Sequence, residues 1–267
     1  MDSKSHCRAD SSRSSWTCNA WFVFFCLVAS PVAASLIELP ALKDNTLYGN
    51  EVLDLSNGAG DFLFSGLKGM DGGFETNRAL LAFDIAGNIP MGSTITSAVL
   101  RLRVDRAPPT GRDDPFYLHL SLSDWGEAGS DAIGNEAGGA AAEIGDATWR
   151  HSFYNNGFWS TAGGDFSSGA SVTQVVAGLG TYFFRSDEMA ADVQSWLDDP
   201  AANYGWFLLG DENTARSVRR FDASNPGDPD RMPTLSIGFV VPEPKIIWLF
   251  AMGLFVLGIA AKQSKAD

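Results

Sequence analysis

Strand-length apolar runs, broken at short intervals by turn residues, fill the chain from Asp61 to Val240. Asp61 to Ser65, Arg78 to Ile85, Ile95 to Val104 and Phe116 to Ser123 alternate or stay apolar over strand lengths. Thr181 to Phe184, Tyr204 to Leu209, Val218 to Phe221 and Thr234 to Val240 do the same. In Val99-Leu100-Arg101-Leu102-Arg103-Val104 the arginines point one way and the leucines the other, as on a half-buried antiparallel strand. Asn57-Gly58 and Pro226-Gly227 supply turn chemistry between such runs. The pattern predicts an all-β fold, an antiparallel β-sandwich of jelly-roll type.

One helix interrupts it. Ser186 is placed to cap the helix, Asp187 and Glu188 suit its first turn, and Asp199-Pro200 ends it. Met189, Val193, Trp196 and Leu197 fall on one face, which should pack on the sandwich.

The two ends carry a different signature. Lys4, Arg8 and Arg13 precede the apolar run Ala20 to Ala29, and Val32-Ala33-Ala34 places small residues at a cleavage position. This predicts a signal peptide over residues 1–34. Phe24-Phe25 before Cys26 lack the small residues of a lipoprotein signal. All three cysteines (Cys7, Cys18 and Cys26) lie in this leader, so an exported domain would hold together without disulfides or thiolate metal sites. The domain, residues 35–240, has 28 Asp and Glu against 13 Lys and Arg, a net charge of −15. Such a field repels nucleic acid and anionic lipid and is compatible with neutral glycans, cationic surfaces or bound Ca²⁺.

At the other end, Val241-Pro242-Glu243-Pro244 is followed by an apolar run from Ile246 to Ala261, flanked by Lys245 and Lys262, and then by Lys265. A helix over residues 246–261 would span roughly 24 Å, and lysine stems can make up the shortfall against a ~30 Å hydrocarbon core. The lysines at the far end would hold that end in the cytoplasm. A Pro-Glu-Pro turn, a short span and a basic tail resemble the PEP-CTERM sorting signal of Gram-negative bacteria, although Lys-Gln-Ser-Lys is less basic than the usual arginine cluster. The resemblance implies an exosortase-type processing protease as partner and transient membrane anchoring. It also implies a destination in the envelope, at the outer surface or in the extracellular matrix.

A second resemblance covers nearly the whole domain. Its residues are Lys43-Asp44-Asn45-Thr46-Leu47-Tyr48, Asn77-Arg78-Ala79-Leu80-Leu81-Ala82-Phe83-Asp84-Ile85, Ile89-Pro90-Met91-Gly92-Ser93-Thr94-Ile95 and the Arg-Leu-Arg strand. Gly205-Trp206-Phe207-Leu208-Leu209-Gly210, Arg220-Phe221-Asp222-Ala223-Ser224 and Pro233-Thr234-Leu235 follow in order. Together they resemble a DNRLRE domain. That family is similar to jelly-roll carbohydrate-binding modules and implies no catalytic residues. Ala223-Ser224-Asn225 stands where the family often has Ser-Arg-Glu, so no role is carried over onto those side chains.

For chemistry, the domain offers two histidines, His119 on an alternating strand and His151 in a loop. It has neither a Gly-x-Ser-x-Gly elbow nor a His-Glu-x-x-His helix. The long segment from Asp124 to Gly169 is the expected ligand-binding region. There Trp125, Trp149 and Trp159 offer indole faces for sugar stacking, with Asp146, Asn155 and Asn156 to accept from hydroxyls. The same tryptophans would equally pin the loop to the sandwich. Asp44, Asn45, Asp211, Glu212 and Asp222 fall at strand ends where Ca²⁺ ligands could converge. The expectation is a non-enzymatic structural or carbohydrate-binding surface protein. The alternative is a secreted polysaccharide-active hydrolase or lyase with a carboxylate site that no motif marks.

Overall fold

A computed structural model describes residues 34–50, 54–109, 111–225 and 227–242. The expected leader up to residue 33, Glu243 and Pro244 of the sorting motif, and the span 246–261 lie outside the described residues. Val241 and Pro242 follow the last strand and are exposed. Among the described residues no helix is long and apolar enough to cross a membrane.

The strands, in chain order, begin with β1 (Ala34–Pro40), β2 (Lys43–Tyr48), β3 (Leu55–Ser56), β4 (Phe62–Leu67) and β5 (Thr76–Ala82). They continue with β6 (Thr94–Arg106), β7 (Asp114–Ser121), β8 (Ala140–Ala141), β9 (Phe166–Val176) and β10 (Gly180–Arg185). Helix α1 (Asp187–Asp198) precedes β11 (Trp206–Leu209), β12 (Arg219–Asp222) and β13 (Thr234–Val240). Eleven strands form one curled antiparallel sheet, ordered β1-β13-β6-β12-β4-β5-β11-β7-β9, with β10 added on β6 and β2 on β5. The short β3 and β8 pair separately.

Strand β4 carries the chain around the curl. Phe62 to Ser65 pair with β12, whereas Gly66 and Leu67 pair with β5. Gly66 makes the change of direction, with φ of 112° and a backbone so close to Val218 that a Cβ would lie 2.8 Å from its Cα. Only glycine meets both conditions cheaply.

The inner faces of the curl share one apolar core. Leu100, Leu102 and Val104 of β6, Ala79 and Leu81 of β5, Phe116 and Leu118 of β7, and Trp206 and Leu208 of β11 all point into it. Each of the large side chains among them contributes ~1.5–3 kcal/mol on burial. Arg101 and Arg103 emerge on the other side of β6, as the alternation predicts. The opposite face of β5 and β11 is also covered, because Leu80, Ala82, Phe207 and Leu209 belong to a second apolar cluster. Burial on both sides explains why Trp206–Leu209 is apolar throughout rather than alternating.

Helix α1 forms where the sequence places it. Ser186 Oγ accepts from Met189 N at 3.0 Å and donates to Ser171 O at 2.6 Å, tying the cap to β9. Met189, Val193, Trp196 and Leu197 are buried in the inner core, and the Trp196 and Trp206 rings meet edge to face at 4.4 Å. Strands β1, β2 and β9 lie outside the eight expected runs. In β9 the sequence Ser-Ser-Gly-Ala-Ser weakens the apolar signal, and pairing to β7 overrides it.

Candidate functional site

The segment joining β7 to β9 lies over the outer face of β2, β5 and β11. Its tryptophans supply the contact. Trp125 has no exposed surface, donates Nε1–H to Tyr204 O at 2.8 Å, and has the Lys43 ammonium over its ring. Trp159 is buried, donates to Thr148 O at 2.9 Å and meets the Phe207 ring at 5.6 Å. Asp146 is fully buried and accepts from the Ala128 and Glu143 amides at 2.6 and 2.8 Å, so its carboxylate orders the loop backbone. Trp149 is half-buried beneath the Arg78 guanidinium, 4.8 Å from it, and that guanidinium is held by Glu212 and by Gly163 O. Asn155 is exposed in a left-handed turn with φ of 63°, beside exposed Asn156. Of the five expected contact residues, three are therefore packed beneath the loop, and Trp149 and Asn155 reach the surface.

The oxygen ligands expected to converge are instead distributed. Glu212 is engaged by Arg78, Asp222 by Arg103 and Arg231, and Asp211 by the Asn213 amide. Burial works to raise Asp211, yet hydrogen bonds from Thr214 and Asn213 hold its carboxyl below the usual range. Asn45 Oδ1 accepts from Thr46 N, Ser56 Oγ and Asn57 N, which spends its lone pairs on the β2–β3 connection. Among the described residues no group of three or more His, Cys, Asp or Glu side chains is arranged to hold a metal ion.

Asp44 differs from the other four. It is fully buried, its Oδ2 accepts from Ser224 N at 2.7 Å, and its Oδ1 has no partner. Burial pushes its carboxyl up to about 7. Glu127 accepts from the Asp44 amide at 3.1 Å and is also pushed up to about 7, by burial first and by the charges of Asp44 and Asp146.

The histidines are both engaged. His119 Nδ1 lies 2.8 Å from Ser167 O on the outer sheet face. His151 is buried, with Nδ1 3.2 Å from Asp54 Oδ1 and its ring 4.3 Å from that of exposed Phe158. Burial opposes the Asp54 charge, but Arg150 and His151 together hold its carboxyl low.

A groove of about 790 Å³ opens elsewhere, where the ends of β5, β6 and β12 meet the loops after β4 and before β8. Leu55, Phe64, Val218, Pro108 and Pro109 give it apolar walls. Its charged lining is mostly paired. Lys68 meets Glu75 at 2.8 Å, Arg220 meets Asp105 at 2.7 Å, and buried Arg219 meets Asp114 at 2.9 Å. Arg106 is exposed at the end of β6, where its backbone is registered against Arg220 of β12. In the wall stands Asn77, with no exposed surface and with neither Oδ1 nor Nδ2 partnered. Two enclosed polar atoms without partners cost ~1–3 kcal/mol each, and most buried polar groups are satisfied.

Sequence reasoning passed over this groove. Asn77 shares the inward register of Ala79 and Leu81. A polar residue at the end of an otherwise apolar inward row was the signal available. No protein-family model matches the chain, and no curated protein matches it.

Proposed function

We propose that the chain is an exported, surface- or matrix-directed protein whose β domain, a jelly-roll variant of the curled sheet, holds glycan without turning it over. The observation that carries the glycan-holding part is the open groove, whose apolar walls suit the C–H face of a sugar ring and whose polar groups suit its rim of hydroxyls. The surface destination rests on the sequence of the two ends. It requires a signal peptide over residues 1–34 and processing by an exosortase-type protease at Val241-Pro242-Glu243-Pro244. A transient anchor over residues 246–261 completes it. The resemblance to DNRLRE domains agrees with this assignment.

The test uses the full chain in mild detergent on immobilised glycans, read for both retention and cleavage. Retention without cleavage is expected. Neither retention nor cleavage would leave a structural surface protein.

A second reading has its own observation. Asp44 and Glu127, both raised to about 7, have the proton affinity of general acids in a polysaccharide-active hydrolase or lyase. Under that reading cleavage products appear and Glu127→Gln abolishes them. The groove lining includes neither residue.

A further inference from the structure

We infer that the loop joining β7 to β9 carries a second glycan contact, in which Phe158 stacks on one pyranose ring and Asn155 and Asn156 bind its hydroxyls. This rests on the glycan-holding reading and adds to it a site built from other residues, since none of the three lines the groove. Phe158 and Trp159 are adjacent, yet only Trp159 holds the loop to the sheet. Trp159 is buried against Phe207, whereas Phe158 is 72 % exposed. A phenylalanine left in water forgoes the burial that ordinarily places it in a core.

Phe158 is nevertheless held in position. Its ring lies 4.3 Å from that of His151, tilted by 34°. His151 is buried and itself fixed, with Nδ1 3.1 Å from Thr148 Oγ1 and 3.2 Å from Asp54 Oδ1. The Tyr154 ring meets it edge-on at 5.2 Å. An exposed aromatic ring thus stands on a packed support.

The turn before it supplies the polar half. The Asn156 and Gly157 amides both donate to Phe153 O, at 2.9 and 2.8 Å, which closes the turn and presents Asn155 and Asn156 at its tip. Both are exposed, and neither carboxamide has a hydrogen-bond partner among the described residues. Asn155 holds the left-handed conformation, φ 63°, that asparagine adopts more readily than other side-chain-bearing residues. The C–H bonds on one face of a pyranose suit the negative face of an aromatic ring. Its hydroxyls both donate and accept, as does a carboxamide. A single platform at a loop tip takes one sugar unit at a time.

The experiment measures binding of neutral gluco-, manno-, galacto- and xylo-hexaoses and of an oligouronate by the full chain in mild detergent. Phe158→Ala, Phe158→Leu, Phe158→Trp and Asn155→Gly are measured beside it, each with its melting temperature. Both positions are exposed, and glycine keeps the left-handed turn, so the melting temperatures should stay parental. At least one probe should bind the parent chain. Phe158→Ala and Phe158→Leu should bind it about tenfold more weakly, Asn155→Gly several-fold more weakly, and Phe158→Trp as well as the parent. Leucine keeps apolar surface and removes the ring, so full binding by Phe158→Leu would overturn the stacking. Parental affinity in Asn155→Gly would overturn the part given to that asparagine. Parental affinity in Phe158→Ala would overturn the platform and leave the glycan-holding function with the groove. Absence of binding to every probe by the parent chain would overturn both the platform and the function on which it rests.

Discussion

Asp44 sits where a carboxylate is least at home, fully enclosed, one oxygen on the Ser224 amide and the other without a partner. Its pKa in the fold is about 7, above the ordinary value of 3.8. The protonated form therefore suits the fold, and this contribution is complete below about pH 4 and lost as pH rises towards 7. Glu127 titrates beside it with the same sign, so the transition belongs to the pair. Asp54 and Asp211, held low, act in the opposite direction, but they are common to parent and variant and cancel in the difference. Asp44→Asn should gain stability relative to the parent between pH 4 and pH 8, by on the order of 3 kcal/mol. Urea denaturation at a series of pH values reads this difference, and parallel curves for the two proteins would contradict it. None of this was legible in the sequence. Asp44 resembled the other acids at strand ends, and what separates it from Asp222 is the pair of arginines, Arg103 and Arg231, that only the fold brings to the latter.

At the scale of elements, the strands with the strongest alternation and the one amphipathic helix were readable because their side-chain period alone decides which face is buried. The loop joining β7 to β9 was readable only in part. Its composition marked it as unusual, and three tryptophans marked it as aromatic. Whether an indole faces water or a sheet depends on the Leu80, Phe207 and Leu209 surface opposite, which lies remote in sequence. The predicted consequence is a sharp contrast along one loop. Trp125→Ala or Trp159→Ala should destabilise the domain by ~3–5 kcal/mol, since each removes a buried indole. Phe158→Ala, one residue from Trp159 and 72 % exposed, should change stability by only ~0.5 kcal/mol. Chemical denaturation of the three variants checks this, and equal effects at positions 158 and 159 would mean that the loop is not pinned as described.

For the whole molecule, Arg219 joins regions far apart in the chain. From β12 it donates to Ala177 O, Ser217 O, Arg112 O and Asp114 Oδ2, at 2.7 to 2.9 Å, and so ties the β12 part of the curl to the β7 and β9 part. Arg219→Ala leaves Asp114 buried with Arg112 as its remaining cation, and should cost ~3 kcal/mol. The double replacement Arg219→Met with Asp114→Leu should cost less than Arg219→Ala, because no buried charge is left behind and Arg112, which loses Asp114, is partly exposed to water. A larger loss in the double replacement, measured by thermal denaturation, would show that the hydrogen bonds to carbonyls outweigh the ion pair.

Strand β13 lies between β1 and β6 and is registered against both along its whole length, with Ala34 opposite Val240. Any tether that leaves the domain beyond Val240 therefore pulls on a strand clamped from two sides. A load directed along β13 shears two ladders together instead of peeling one hydrogen bond at a time. The last strand thus resists such a load with two partners at once.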